Sequence, residues 1–214
     1  MTIATPASVE FTHPVSYRDE LRAHADRVQI LVIPERRYLA IDGVGAPGAE
    51  SFGQAIAVLY PIAYTIHFGL RRQGIEEPVG ALELLMWRGE PGPVDPASFA
   101  DVNAPAWSWR LMLPIPPTAG DEEIVSAIDD LREKKAPAHI DDLRVERWQE
   151  GLVAQTLHVG PYEAEAPTIA ALHARLVERG LPARGCHHEI YISDPSRTAP
   201  ERLKTVIRQP VEWA

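Results

Sequence analysis

The chain has 214 residues, of which 45% are hydrophobic and 24% charged, enough to bury the core of one substantial domain or of two small fused units. Its formal net charge of −9 argues against a nucleic-acid-binding protein, which would present a basic face to the phosphates. A single cysteine, Cys186, excludes an internal disulfide framework and favours a cytoplasmic protein. We expect no signal peptide and no membrane association, because no apolar run reaches the roughly 18 residues of a membrane span.

The first half of the chain is predicted to contain an arm, 1–30, followed by a first unit, 31–117. Ser16 is a candidate N-cap of a short helix in the arm. A longer helix is predicted from Ser51, with apolar residues at intervals of three and four, and Pro61 is expected to kink or break it. The predicted strands are 29–33, which Pro34 ends, 37–42, 79–87 and 107–115.

The second half is predicted to repeat this order of elements. A linker, 118–142, carries an inserted helix at 121–135, whose acidic start and basic end suit the helix dipole. The second unit, 143–214, has a predicted helix at 168–179. Its predicted strands are 143–148, 152–159, 186–192 and 203–208.

The shared order predicts a duplicated strand–helix–strand–strand unit within one domain. Glu83 follows Gly74, and Glu189 follows Gly180, at the same distance along the chain. The predicted fold class is therefore α+β, with a pseudo-twofold antiparallel or mixed sheet. We expect helices on one face of this sheet and a ligand groove on the other.

Alternation along the predicted strands places candidate side chains on common faces. His187, Glu189 and Tyr191 share one face, and we expect them to line the groove together with Glu83 and Trp87. A glutamate on such a strand is more often merely on the solvent side of a half-exposed sheet. The matching positions of the two glutamates and their aromatic neighbours favour a site.

Tryptophans form a second candidate surface. Trp107, Trp109 and Leu111 share a face of the third strand. Tryptophans two apart on a strand are more often part of a core. An open face with several of them would be a large apolar patch, which soluble monomers seldom carry without a function.

A carboxylate among aromatic rings can act in two ways. Desolvation raises its pKa and strengthens it as a general base, whereas the rings and the negative charge together attract a planar cation. A metal site or other cofactor is not expected, because His187 and His188 are adjacent on a strand and so point to opposite faces. His158 is expected to anchor a turn or to enter the pocket, and Tyr162 to lie at the start of the loop above the second helix.

Several ordered motifs carry a family resemblance, which covers the chain from about residue 30 to its C-terminus. The segments are Ala55–Phe68, Leu82–Glu83, Trp107–Met112, His158–Tyr162 with Glu165 and Thr168 behind it, and His188–Pro195. The chain resembles the GyrI-like small-molecule-binding family in its stand-alone form. It departs from the family in the segment Ala81–Trp87, where relatives often carry a further Gly and a further Trp.

The resemblance implies a duplicated fold (the SHS2 duplication) with a central ligand groove. Relatives fused to DNA-binding domains sense drugs, and some stand-alone relatives hydrolyse cyclopropanoid DNA-alkylating compounds. It implies Glu189 as the main acidic group, supported by Glu83, Tyr162 and Tyr191. The implied ligand-binding residues are Trp107, Trp109, Trp87, His187, Tyr64 and Leu111.

The function expected from these patterns is binding of a lipophilic planar aromatic molecule and hydrolysis of a cyclopropanoid by a water that a glutamate activates. Its role would be detoxification or self-resistance. One alternative is a non-catalytic protein that binds or sequesters drugs. A further alternative is a protein-interaction role such as modulation of gyrase, and a homodimer is an open possibility.

Overall fold

The computed structural model describes residues 16–101 and 107–213. Within these ranges, the fold combines strands and helices in an α+β arrangement. The strands are β1 (Gln29–Val44), β2 (Leu82–Trp87), β3 (Ser108–Pro114), β4 (Arg144–Val159), β5 (His187–Tyr191) and β6 (Lys204–Pro210). The helices are α1 (Tyr17–Glu20), α2 (Glu50–Arg72), α3 (Asp121–Lys134) and α4 (Ala166–Glu178).

The six strands close into an antiparallel barrel in the order β1-β3-β2-β5-β6-β4. Closure follows because β1 pairs with β3 on one side and with β4 on the other. The expected antiparallel sheet is confirmed, but it is a barrel and not an open sheet. The order strand, helix, strand, strand occurs on both sides of α3, whereas duplication remains a prediction.

Two predicted strand breaks are wrong. β1 runs through Pro34 as one strand of 16 residues. At that point β1 has only β4 beside it, since its pairing with β3 begins at Tyr38, so the missing N–H of proline can face an unpaired edge. β4 likewise continues through Gly151, whose φ of 72° is open to glycine and allows the strand to bend.

Helix α2 continues through Pro61, so the predicted break at this proline is absent. The carbonyl of Pro61 accepts a hydrogen bond of 2.8 Å from the Thr65 hydroxyl. The apolar face of α2 buries Leu59 and Ile62 on either side of the proline. This packing stabilises the helix against the loss of one backbone hydrogen bond. Within residues 16–101 and 107–213, none of the helices has the length and apolar composition of a membrane span.

The two faces of the barrel wall differ in chemistry. α2 packs on the outer face of β1 and β3, where Phe52 meets Trp109 edge-on with 5.3 Å between ring centroids. α4 packs on β4, also outside. The inner face carries buried charged groups, since His188 of β5 contacts Glu83 of the neighbouring strand β2 and Glu150 of β4.

The polar interior is organised around four side chains, which we call the interior cluster: Glu83, Glu150, His188 and Arg208. The His188 Nδ1 lies 2.9 Å from Glu150 Oε1, and its Nε2 lies 3.1 Å from Glu83 Oε2. Arg208 Nη1 donates to Glu150 Oε2 at 3.0 Å. Burial opposes a charge on the His188 ring, but the two carboxylates outweigh it and raise the pKa of His188 to about 9.

Helix α1 joins this interior from the N-terminal side. Ser16 caps it, as predicted, and accepts a hydrogen bond from the Asp19 N–H. The Tyr17 hydroxyl donates to Glu83 Oε1 at 2.9 Å, and Glu20 accepts from Arg36. The N-terminal arm is therefore part of the packed domain from Ser16 onward.

Candidate functional site

The outer face of β5 carries the strongest candidate site. His187, Glu189 and Tyr191 share that face, as strand alternation predicts. Glu189 Oε1 lies 3.1 Å from His187 Nε2, and Glu189 Oε2 accepts a hydrogen bond of 2.8 Å from the Tyr191 hydroxyl. The carboxylate is almost fully buried, with 7% of its side chain exposed.

A second carboxyl, that of Glu165, lies against Glu189. It follows the 3₁₀ turn Tyr162–Ala164, comes directly before α4, and is buried. Burial and the charge of Glu189 raise the pKa of Glu165 to about 10. Burial also acts against a charge on Glu189, but hydrogen bonds from His187, Tyr191 and Glu165 hold the pKa of Glu189 below its ordinary value. The opposite directions of the two shifts favour a pair that shares one proton at neutral pH, with Glu165 the more readily protonated member.

Tyrosines surround the carboxyl pair. Tyr162 meets Tyr191 edge-on with 5.2 Å between ring centroids. Burial, together with Glu165, Glu189 and Tyr60 of α2, raises the pKa of Tyr162 to about 12. We call Glu189, Glu165, Tyr191, Tyr162 and His187 the Glu189 site.

An aromatic surface extends from this site along α2. Tyr60 stacks on Tyr64 with 6.1 Å between centroids, and Tyr64 stacks on Phe68 with 6.2 Å. The last two are 47% and 49% exposed. One helix face thus presents three consecutive rings to solvent, because residues four apart lie above one another.

His158 anchors the turn that carries Tyr162 and Glu165. Its Nε2 lies 3.2 Å from the carbonyl oxygen of Pro161, and its Nδ1 lies 2.9 Å from the Thr168 hydroxyl. A carbonyl only accepts, so Nε2 carries the proton and Nδ1 accepts from the hydroxyl. The turn-anchoring interpretation is confirmed, and the motif that contains His158 is a scaffold of the site.

Glu83 does not join Glu189, so the expectation that the two share a groove is wrong. In the register between β2 and β5, Glu83 pairs with Ile190, whereas Glu189 pairs with Leu84. Directly paired residues point to the same face, so Glu83 enters the barrel interior. Equal spacing in two units does not fix a common face once the strands are paired antiparallel.

The tryptophans are core residues and not walls of the site. Trp109 is 1% exposed and lies under α2 against Phe52. Trp107 is equally buried, between Phe99 and the Arg88 guanidinium, which lies 4.3 Å from the ring centroid. Of the other predicted ligand contacts, His187, Trp87 and Leu111 are also buried. Trp87 lies on the inner face with Glu83, and α2 covers Trp109 on the outer face, so tyrosines take the place expected for tryptophans.

Sequence reasoning assigned no role to Glu165. The residue entered only as part of the motif around His158 and Tyr162. It lies outside the strands, so alternation could not place it. The Glu165 carbonyl accepts a hydrogen bond from the N–H of Ile169, four residues later. This bond marks the first turn of α4.

Two surface depressions lie away from the Glu189 site. One, of about 520 Å³, follows the acidic face of α3 around Asp129. The other, of about 600 Å³, is apolar and lies between Pro96 and α4, with His173 in its wall. Among the described residues, no group of three potential ligands is placed to hold a metal ion.

We expect Glu165→Gln to stabilise the fold at alkaline pH. The folded-state pKa of about 10 lies above the ordinary 4.5, so folding takes up a proton, and this disfavours the folded state increasingly as pH rises above 4.5. The amide removes this penalty and still offers a donor to Glu189. Urea unfolding should show a gain of about 1–3 kcal/mol at pH 8 that shrinks near pH 4.5.

The exposed neighbour Glu163 supplies the control, because Glu163→Gln removes one charge from the same turn, and that charge raises the pKa of Glu165 less than burial and Glu189 do. Equal free energies of unfolding for Glu165→Gln and Glu163→Gln at every pH would contradict a proton shared between Glu165 and Glu189.

Comparisons with known proteins report similarity to one family and to several solved structures. The model of the GyrI-like small-molecule-binding domain matches residues 128–212. A conserved uncharacterised protein from Listeria innocua is 32% identical with a TM-score of 0.77, and the match covers 90% of this chain and 96% of that one. No curated protein matches.

Two further structures from Listeria innocua are described as hydrolases. One is 30% identical with a TM-score of 0.73, and the match covers 91% of this chain and 96% of that one. The other is 28% identical with a TM-score of 0.76, covering 95% of this chain and all of the other. These likenesses extend over nearly the whole fold and not only over the matched C-terminal part. The chain belongs to the GyrI-like small-molecule-binding family.

Proposed function

We propose that this protein hydrolyses planar aromatic small molecules that carry a strained ring, with cyclopropanoid DNA-alkylating compounds as the substrate class and detoxification as the role. The observation that carries the proposal is the burial of the Glu189 and Glu165 carboxyls together beside Tyr162 and Tyr191, which raises the pKa of Glu165 while hydrogen bonds lower that of Glu189. Two relatives described as hydrolases, at 30% and 28% identity, support a hydrolytic activity.

The substrate would bind on the tyrosine rings. Tyr60 and Tyr64 of α2 offer a stacking surface, and Tyr162 offers an edge close to the carboxyl pair. Stacking of this kind contributes roughly 0.5–1.5 kcal/mol for each ring pair beyond the buried area. The limited exposure of Glu189 keeps bulk water away from the reacting ring.

The reaction is an addition of water. The water oxygen bonds to a carbon of the strained ring, the ring C–C bond breaks, and its electron pair moves through the dienone to the carbonyl oxygen, which becomes a phenolate oxygen. Glu189 accepts the proton of the water. Glu165 or the Tyr162 hydroxyl gives a proton to the phenolate oxygen. When Glu165 is the donor, its contact with Glu189 lets Glu189 pass on the proton taken from the water, which restores both carboxyls.

The tuning of the pair fits this sequence of steps. Glu189 is ionised at neutral pH because three hydrogen-bond partners favour its charge, so it is ready to accept a proton. Glu165 is protonated because it is buried next to that charge, so it is ready to give one. General acid–base catalysis of this kind increases the rate roughly 10²–10⁴-fold, and relief of ring strain supplies the driving force of the reaction.

A second candidate function is non-catalytic binding of a lipophilic aromatic cation. The depressed pKa of Glu189 favours it, since a permanently ionised carboxylate is a weak base but a good counter-ion. The exposed rings of Tyr64 and Phe68 would add cation–π attraction.

Turnover distinguishes the two candidates. The protein is incubated with a cyclopropanoid alkylator, and ring-opened product is followed by mass spectrometry. We expect several turnovers per protein molecule, at a rate well above that of buffer. Tight binding that protects the intact compound from hydrolysis would contradict the hydrolase and support the binding protein.

A further inference from the structure

We propose that Phe99, in the 3₁₀ segment Pro96–Asp101, is a positioning residue of the Glu189 site whose ring holds the His187 imidazole against the Glu189 carboxylate. The inference rests on the proposed function in one respect, because Glu189 is the general base proposed there. Phe99 acts through His187 and not through contact with the substrate.

The segment that carries Phe99 is held at the site by its own hydrogen bonds and by α4. Asp95 Oδ1 accepts a hydrogen bond of 2.9 Å from the Ala97 N–H, and the Asp95 carbonyl accepts one of 2.9 Å from the Ser98 N–H. The segment packs on α4, the helix that Glu165 directly precedes. Of the six residues in the segment, only Phe99 is buried, so the segment places a single side chain into the interior.

The Phe99 ring lies directly against the His187 ring. The two ring centroids are 4.3 Å apart, and the ring planes are inclined by 49°. Phe99 also contacts Trp107, with 5.1 Å between ring centroids, and all three side chains are buried. Because protein interiors are close-packed, a ring in this position restricts the rotation of the imidazole beside it.

Hydrogen bonds alone do not fix the orientation of the His187 ring. An ionised carboxylate only accepts hydrogen bonds, so His187 Nε2 donates to Glu189 Oε1 across 3.1 Å. In the part of the chain that the structure describes, the buried His187 Nδ1 has no hydrogen-bond partner. The torsion that turns an imidazole about its Cβ–Cγ bond has broad energy minima. One hydrogen bond therefore leaves the ring free to turn, and packing against Phe99 supplies the second constraint.

The consequence is a stable donor for Glu189. Burial opposes the charge of Glu189, and the hydrogen bond from His187 is the largest of the contributions that lower the pKa of this carboxyl. A gap in place of the Phe99 ring opens at the imidazole, which can then turn or donate to a water molecule instead. Either change weakens the contact with Glu189 and raises its pKa. The other titratable groups that act on Glu189 or His187 are Tyr191, Glu165, Tyr162 and His173.

The test measures the pKa of Glu189 by carboxyl carbon NMR of the whole protein, in wild type, Phe99→Leu, Phe99→Val and Phe99→Ala. The signal of Glu189 is identified by its absence in Glu189→Gln. The three Phe99 variants open a progressively larger gap beside His187, so we expect the pKa of Glu189 to rise in that order. The rise should reach about one pH unit in Phe99→Ala, which corresponds to the loss of one hydrogen bond to a charged group.

Phe52→Ala is the matched control, because Phe52 is a buried phenylalanine that packs on Trp109 as Phe99 packs on Trp107. This variant should lower the free energy of unfolding and leave the pKa of Glu189 unchanged. If Phe99→Ala does not fold, Phe99→Leu and Phe99→Val decide the result. An unchanged pKa in the Phe99 variants that fold, or an equal rise in Phe52→Ala, would overturn the proposal. The measurement does not use turnover, so a protein that shows no hydrolysis leaves this result intact, and the two proposals fail separately.

Discussion

Glu189→Gln is expected to lower the turnover of a cyclopropanoid substrate by roughly 10²–10⁴-fold, the usual contribution of a general base. The amide cannot accept the proton of the attacking water, although it has nearly the same size and still contacts Tyr191 and His187. The fold should persist, because the substitution removes a buried charge and leaves the apolar contacts of β5 intact. Product formation by mass spectrometry measures the effect.

Ligand affinity is the second measurement to make on Glu189→Gln. A neutral aromatic ligand should bind within a few-fold of wild type, because the stacking surface on Tyr60 and Tyr64 is unchanged. The control is Glu178→Gln, which removes a surface ion pair with Arg175 on α4. Turnover that is equal in wild type and Glu189→Gln would exclude the carboxylate as the base and leave binding as the function.

The pH dependence follows from the same pair. Activity should be retained across neutral pH and fall as acid protonates Glu189 and as alkali deprotonates Glu165, whose pKa is about 10. Substituting Glu189 removes the charge that raises the pKa of Glu165, so that carboxyl should titrate closer to its ordinary range.

Glu150→Gln is expected to have the largest effect on stability, a loss of about 3–5 kcal/mol. Glu150 is buried and is the carboxylate that bridges His188 and Arg208 in the interior cluster. Burial disfavours its charge, yet the two cations hold its pKa below the ordinary value. Removing it leaves a buried guanidinium without this counter-ion. Urea unfolding at pH 7 measures the loss.

The pH dependence of this effect has a defined sign. His188 titrates at about 9 in the folded protein and near 6.5 when unfolded, so its contribution is complete below 6.5 and disappears as pH rises through 9. In Glu150→Gln the contribution of His188 to the free energy of unfolding should be smaller. The difference in stability between wild type and Glu150→Gln should therefore decrease between pH 7 and pH 10.

Glu35→Gln is the control for the interior cluster. Glu35 also lies on a strand in an ion pair, with Arg147 at 3.3 Å, but the pair is exposed and should contribute about 0–1 kcal/mol. An equal loss in the two variants would contradict a special role for the interior charges. A double variant, Glu150→Gln with Arg208→Met, should recover part of the stability, because it also removes the uncompensated cation.

The two glutamates show how far strand patterns can predict a site. Alternation correctly placed His187, Glu189 and Tyr191 on one face, because neighbouring side chains on any strand point in opposite directions. It could not state that Glu83 faces the other way, because that depends on the register between β2 and β5. A shift of one residue in register would reverse the result.

The sequence by itself determined the main helices, most of the strands and the grouping around Glu189, since these depend on local spacing, propensity and a motif. Only the tertiary structure decided that the sheet closes into a barrel, that α2 covers Trp109, and that Glu165 meets Glu189. Each of these joins segments far apart in the chain. Burial then sets the chemistry, because two carboxyls that would ionise independently in water must share a proton once packing removes the water between them.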